Sequence, residues 1–346
     1  MSGFARRGFT HVNIALSLVW SLILFLSAAQ SPASAQDKTY TMKISLATIN
    51  DQIHALVKNY AAALEKDSGG RIKTEVYPAS QLGSIPRQTE GVQFGAIQCQ
   101  VVPPEFLVGL DERFEVMAAP GLVASMAQGQ RIAADPEVLK LMLGLGADKG
   151  LHGAGMMMVN PSAIAFRTPV RTLADFKGKK VRIFASAFQS TSFDRLGATP
   201  VAMSLGDVLP ALQQGAIDGA VASTAIFTAF HYQDAAKYAL ETGQPAIFAI
   251  IEVSKKWYDT LPPDLQQVID KTAARETVTV NPQAAEITEK SRKIWTDTGG
   301  ELISLSPQEQ AQFLKILLSV GQDVAKTKPL LDQAYQVIAA ASERTK

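Results

Sequence analysis

The stretch LGATPVAMSLGDVLPALQQGAIDGAVA, residues 196 to 222, limits the possible folds more than any other. TPVAM is short and apolar, as a strand is. LGDVLPALQQ follows as a helix stopped at Gly215, and Ser204 with Asp207 makes a capping-box pattern at its start. AIDGAVA then reads as a second strand, built of small residues. Strand, helix and strand in such quick succession argue for α/β architecture. The last step of this run has a counterpart upstream. VQFGAIQCQVV at 92 to 102 and LQQGAIDGAVA at 212 to 222 are each a helix end, a glycine stop and a small-residue strand. The pair hints at two similarly built lobes.

The rest of the chain keeps the alternation. YTMKISLA (40 to 47) is a strand, and IHALVKNYAAALEKDSGG is a helix with Leu56, Tyr60, Ala63 and Leu64 at helical spacing, stopped by Gly69-Gly70. RIKTEVYP is a strand, and SIPRQTEGVQF a helix ended by Gly95. MMMV (156 to 159) reads as a core strand. KKVRIF is a strand and SAFQSTSFDRLG a helix. The last third is more helical. LPPDLQQVIDKTAARETVTV begins at Pro262-Pro263, where proline is tolerated, and Pro282 is expected to kink or break it. QAAEITEKSRKIW resumes the helix, and SPQEQAQFLKILLSVGQDVAK and LLDQAYQVIAAASERTK follow as two more.

The first 35 residues read as a leader. Arg6 and Arg7 precede the apolar run IALSLVWSLILFLSAA (14 to 29), and ASA at 33 to 35 is a small-residue cleavage site, so Gln36 is the expected mature start. The alternative is an uncleaved anchor, for which the run is short. The whole chain has 33 basic and 32 acidic residues. Cleavage removes two arginines and no acid, leaving 31 basic against 32 acidic residues, a net charge of −1. Nothing in this balance suggests a nucleic-acid partner. Cys99 is the single cysteine, so no internal disulfide is possible, and its strand context points to a buried, inert thiol.

Catalytic motifs do not emerge. His54, His152 and His231 show no metal-ligand spacing, and there is no HExxH, CxxC, EF-hand loop or GxSxG elbow. GLGADKG (144 to 150) has the wrong spacing for a dinucleotide fingerprint and follows a helix, DPEVLKLML, rather than a strand, so its glycines read as a helix end. An enzyme would need a nucleophile and base to meet in space, for example Ser186 or Ser223 with His231.

LADFKGKKVRIFAS (173 to 186) carries the most informative residue. Arg182 lies in a strand that reads as buried, between Val181 and Ile183. A buried guanidinium demands an anion. Either a protein acid such as Asp175 or Asp218 supplies it, or a ligand does.

With this segment in place the chain resembles the solute-binding proteins of tripartite ATP-independent periplasmic (TRAP) transporters, the DctP family. DSGGRIKTEVYPASQLGS is similar to the family's glycine turn, strand and "YP-x-x-QLG" signature. GVQFGAIQ is similar to its helix–Gly–strand step, and LADFKGKKVRI to its "DLKG-x-K-x-R" segment. LGATPVAMSLGDVLPALQQGAIDG and YDTLPPDLQQVI follow in the family's order. The resemblance implies a two-lobed periplasmic binding protein fold of the α/β class, with mixed sheets, crossing segments and long C-terminal helices. It implies lobe I at 36–159 plus about 247–287 and lobe II at 160–246 plus about 288–346, closing on a small organic acid. It further implies a periplasmic monomer that needs no cofactor and works with separate membrane permease subunits.

By the same resemblance Arg182 is the carboxylate anchor. Guanidinium is planar, always charged and offers two parallel donors to a carboxylate. The chain also departs from the family pattern. Ala222 stands where many relatives carry an asparagine, and Val221 replaces an acid. VVPPEF offers Pro103 and Phe106 where a polar residue is common, and Ser162 aligns with an upstream arginine. A site that keeps one anchor and loses polar partners suits a monocarboxylate with an aromatic or hydrophobic body. Phe106, Phe184, Phe188 and Phe227 are available to line such a pocket. Ser186, Leu205 and His54 complete the expected lining. A C4-dicarboxylate remains the alternative ligand, with Arg87 or Arg167 as its second cation. A ligand sensor acting on a membrane kinase is the alternative role.

Overall fold

The computed structural model describes residues 38–346, so the expected leader and its cleavage site lie outside the described residues. The first half builds β1 (Tyr40–Leu46), α1 (Gln52–Asp67), β2 (Ile72–Tyr77), α2 (Ile85–Phe94) and β3 (Cys99–Val102). Asp51 caps α1, its side chain accepting from the His54 amide. Gly95 ends α2 in the left-handed conformation (φ 82°), which glycine adopts without strain. Short 3₁₀ turns at 104–107 and 112–118 follow, then α3 (Met126–Ala133) and α4 (Pro136–Gly144).

Next comes β4 (Leu151–Phe166), which extends the expected MMMV strand to 16 residues. The second half repeats the first with β5 (Lys180–Ile183), α5 (Ala187–Arg195), β6 (Thr199–Ala202), α6 (Val208–Gln214) and β7 (Gly219–Ala222). Gly215 caps α6 as Gly95 caps α2, at φ 72°. The capping box expected at Ser204 does not form. Ser204 makes no side-chain capping bond, and a 3₁₀ turn over 205–207 leads into α6. After α7 (Thr224–Ala229) comes the second long strand, β8 (Tyr238–Ser254), then α8 (Lys255–Tyr258), α9 (Pro263–Thr279), α10 (Asn281–Asp297), β9 (Glu301–Ile303), α11 (Pro307–Ala325) and α12 (Pro329–Arg344).

Strand order shows why the two sequence steps look alike. The hydrogen-bonded path runs β2-β1-β3-β8-β4-β7-β5-β6, with β9 on β8. β1 pairs parallel with β2 and β3, and β5 pairs parallel with β6 and β7. In each half the glycine-stopped strand, β3 or β7, docks antiparallel on a long strand, β8 or β4. The two long strands pair antiparallel with each other from Leu151↔Ser254 to Phe166↔Tyr238, with register shifts at Gly153/Gly155, Met158/Asn160 and Pro161/Ala163. Such bulges bend a strand, so one ribbon serves both halves.

A large apolar cluster spans both halves, from Ile85 and Val92 to Leu212 and Phe227, and two smaller ones flank it. One gathers Met42, Ile44, Leu56, Tyr60 and Ile251; another gathers Phe166, Phe176, Val181, Ile183 and Phe313. At Pro282 the expected interruption occurs, as a tight joint between two helices. Val280 separates α9 from α10 yet keeps right-handed helical angles (φ −75°, ψ −15°), and Ala284 N still donates to Val280 O at 3.1 Å. Pro282 sits at the start of the second helix, where its missing N–H is tolerated.

Candidate functional site

Parallel strands open a crevice at their C-terminal ends, where ligands gather in α/β sheets. Here both halves contribute. Thr48 follows β1, Val102 ends β3, Arg182 and Phe184 lie at the end of β5, and Ala222 and Ser223 at the end of β7; all line one cavity of about 40 Å³. The long strands add Val159 and Ile247, and Ile85, Pro103, Phe106, Leu205 and Ile226 close the walls. Thr48, Asp51, Arg182 and Ser223 bring the only polar side chains to this lining.

Strand alternation aims Arg182. Val181 and Ile183 enter the apolar cluster of the second half, so the residue between them faces the other way. Arg182 is 1% exposed. Its Nε donates to Met203 O at 3.2 Å and its Nη1 to Val221 O at 3.0 Å. The Phe184 ring lies under the guanidinium, 4.9 Å from centroid to Cζ. Among the described residues no carboxylate pairs with Arg182. Asp175 instead accepts the amides of Arg171 and Thr172, and Asp218 the amide of Lys180. The protein-acid alternative therefore does not form. Burial pushes the guanidinium down to about 10, with Tyr232 nearby acting in the opposite sense. The Tyr232 hydroxyl is itself buried without a hydrogen bond among the described residues, and burial pushes its titration up.

Of the residues expected at the site, Arg182, Phe184, Leu205, Ala222 and Phe106 come together at this cavity. The Phe106 and Phe184 rings lie 5.3 Å apart, tilted by 34°. Four others lie elsewhere. Phe227 is core, packed on Tyr232 and Trp295 with centroids 5.7 and 5.6 Å away. Ser186 caps α5 through the Gln189 amide. Ser162 is buried in β4, its hydroxyl without a partner among the described residues. His54 accepts from the Asn50 amide through Nδ1 and opens on a surface hollow with Lys58 and His231, which Asp51 also lines. Phe188 is fully buried away from the cavity, and Arg87 and Arg167 are exposed away from it.

Ser223, like Ser186, is occupied in capping; it accepts from Ile226 N, and no hydrogen bond joins His231 to either serine among the described residues. The Cys99 thiol is buried, and burial pushes its titration up, which suits an inert packing group. No helix among the described residues is long and apolar enough to cross a membrane.

Asp51 is the site residue that the sequence did not single out. It is 2% exposed. Thr48 Oγ1 donates to its Oδ1 at 2.8 Å and His54 N at 2.9 Å. Burial raises the carboxyl to about 6, the hydrogen bonds from His54 and Thr48 opposing that rise. An aspartate before an amphipathic helix reads first as a cap, and only the tertiary fold puts it on the cavity.

Two α/β lobes sharing a pair of long strands, with a buried cation in the crevice where the short strands end, define a bilobed solute-binding protein. The model of the DctP family, bacterial extracellular solute-binding protein family 7, matches residues 45–328. The chain belongs to this family, the solute-binding proteins of TRAP transporters for organic acids. It is 27% identical over 267 residues to the C4-dicarboxylate-binding periplasmic protein DctP of Rhodobacter capsulatus, covering 76% of this chain and 79% of that protein. Among solved structures, a TRAP periplasmic solute-binding protein from Desulfovibrio salexigens with bound orotic acid superposes with a TM-score of 0.84 at 20% identity, covering 89% of this chain and all of that one. One from Xanthobacter autotrophicus Py2 with bound β-D-galacturonate superposes with a TM-score of 0.79 at 25% identity, covering 86% and 99%.

Proposed function

We propose that this protein is a periplasmic, non-enzymatic carrier that captures an aromatic or hydrophobic monocarboxylate on Arg182 and delivers it to a membrane permease. The observation that carries this reading is Arg182 itself, buried, without a protein counter-ion among the described residues, and open to a cavity whose walls are largely apolar. A buried charge without an anion is strained by several kcal/mol, and a ligand carboxylate relieves it. In this reading residues 36–159 with about 247–287 form lobe I, and 160–246 with about 288–346 form lobe II. A cavity of about 40 Å³ is smaller than an aromatic acid, so in this reading the lobes part to admit the ligand and close again around it.

The relatives bind acids of several kinds: C4-dicarboxylates, orotate and galacturonate. A dicarboxylate asks for a second cation, and Arg182 is the one cation in the lining. A sugar acid asks for many hydrogen bonds, which so apolar a lining leaves unmade. Of the three, planar orotate comes nearest in kind to a site flanked by Phe106 and Phe184. The test is a thermal-shift screen of residues 36–346, shown to be free of ligand, against aromatic monocarboxylates, C4-dicarboxylates and hexuronates. Aromatic acids should raise the midpoint most. A ranking led by succinate or galacturonate refutes the apolar-ligand reading, and no response to any acid refutes the anchor.

A further inference from the structure

Arg182 satisfies one end of a ligand, and the cavity holds a second buried ionisable group that this role leaves unused. Asp51 comes from the other half of the molecule, on the turn between β1 and α1. It lines the same cavity as Arg182, yet no ion pair joins them among the described residues. Both short hydrogen bonds from the protein, from Thr48 Oγ1 and His54 N, fall on Oδ1. Neither of these two bonds uses Oδ2, and the Asp51 and Ile53 amides also hydrogen-bond to the carboxylate and lower its titration. Apolar side chains, Phe106, Val102, Ile247 and Phe184, make up most of the rest of the wall. A molecule held by its carboxylate on Arg182 thus meets, elsewhere in the same cavity, a hydrogen-bond acceptor of negative charge and little else that is polar.

We propose that Asp51 is a specificity-determining residue of this carrier: it selects an aromatic monocarboxylate that carries a ring N–H or O–H donor and rejects a second carboxylate. The inference rests on the reading of Arg182 as the carboxylate anchor. The chemistry is one-sided. A donor aimed at a buried, ionised carboxylate makes a charge-assisted hydrogen bond. A ligand with no donor leaves that carboxylate with its protein hydrogen bonds alone, and a second carboxylate adds like-charge repulsion in a setting of poor screening. Burial holds Asp51 near pH 6, so above that pH the ionised form prevails and selection is strongest. One residue then discriminates between ligands that Arg182 alone would accept alike.

The experiment compares benzoate, 3- and 4-hydroxybenzoate, orotate, isophthalate and terephthalate by calorimetry at pH 7.5, on wild type and on Asp51→Asn, Asp51→Ser and Arg182→Ala. Asparagine and serine both keep the helix cap, so the two Asp51 variants should fold, and circular dichroism checks that they do. Wild type should bind orotate or a hydroxybenzoate about ten- to a hundredfold more tightly than benzoate, the range for one charge-assisted hydrogen bond, and both phthalates more weakly than benzoate. Asp51→Asn and Asp51→Ser should shrink the gap between donor-bearing acids and benzoate and bring the phthalates level with benzoate. If both folded Asp51 variants keep the wild-type ranking while Arg182→Ala abolishes binding, Asp51 is a helix cap only and the inference fails with the anchor intact. If Arg182→Ala binds these acids as wild type does, the anchor fails, and the inference with it.

Discussion

Replacing Arg182 with methionine should separate function from stability. Methionine keeps much of the side chain's length and apolar body and removes its charge. The fall of the guanidinium from 12.5 to about 10 corresponds to a burial penalty of about 3 kcal/mol in the ligand-free protein. The folded value lies below the unfolded one. The penalty is therefore complete at neutral pH and is relieved only as pH rises from about 10 towards 12.5. Against the relief stand two lost hydrogen bonds, to Met203 O and Val221 O, each worth about 1 kcal/mol. The lost contact with Phe184 removes roughly another 0.5–1 kcal/mol. The terms nearly cancel, so ligand-free Arg182→Met should melt within a few degrees of wild type.

Its response to ligand should collapse. Truncating one side of a buried charge pair costs about 2–5 kcal/mol of binding, a loss of roughly thirtyfold or more in affinity. At a ligand concentration a hundredfold above the wild-type dissociation constant, mass action stabilises wild type by about 2.7 kcal/mol and the variant by less than about 1 kcal/mol. Differential scanning fluorimetry with and without the acid reads both effects. A ligand-free variant destabilised by more than about 3 kcal/mol would show that the charge is paired in the native protein, against the burial argument. An undiminished ligand shift would place the anchor elsewhere.

Three further outcomes follow from side chains around the same crevice. Phe184→Ala removes a ring that lies under Arg182 and beside Phe106, so it should cost about 3–5 kcal/mol in urea unfolding and weaken aromatic acids more than aliphatic ones. Glu105 is buried on the turn after β3, and burial raises it from 4.5 to about 8 with Glu115 adding to the rise; its folded value exceeds its unfolded one, so wild-type stability falls between pH 4.5 and 8. Glu105→Gln should therefore stabilise the protein by up to about 3 kcal/mol at pH 7 and by little at pH 4.5, read from urea midpoints at the two pH values. Gly153→Ala would place a methyl carbon 2.6 Å from Leu143 Cα and 2.7 Å from Leu143 O, where backbone cannot yield cheaply, and should cost about 2–3 kcal/mol; a midpoint equal to wild type would mean that α4 and β4 shift apart freely.

Much of the fold is legible in the sequence because its signals are local. The glycine stops at Gly95 and Gly215 mark equivalent strands, since a left-handed cap favours a residue without a side chain. Arg182 stands out because a charge between Val181 and Ile183 breaks the apolar pattern of a buried strand. Ser204 misleads because its residue type fits a cap while the chain enters α6 through a 3₁₀ turn. Pro282 reads correctly as a helix break, since one helix ends at Thr279 and the next begins at Asn281 with the proline in its first turn. Phe227 lies outside the cavity, because a buried aromatic ring looks the same in sequence whether it faces a cavity or, as here, Tyr232 and Trp295.

The sequence by itself determined the α/β class and the strand that carries the guanidinium, and hinted at the paired construction of the lobes, because helix periods, glycine caps and apolar runs act over a few residues. The tertiary structure alone decided which side chains share a cavity. Asp51 and Arg182 are far apart in the chain, and no local rule relates them. They line one cavity because the parallel strands of both halves end at one crevice and two long antiparallel strands hold the halves together. Whether Arg182 finds a protein acid or waits for a ligand's carboxylate depends on that assembly, since Asp175 and Asp218 are spent on backbone amides only once the loops around them are folded.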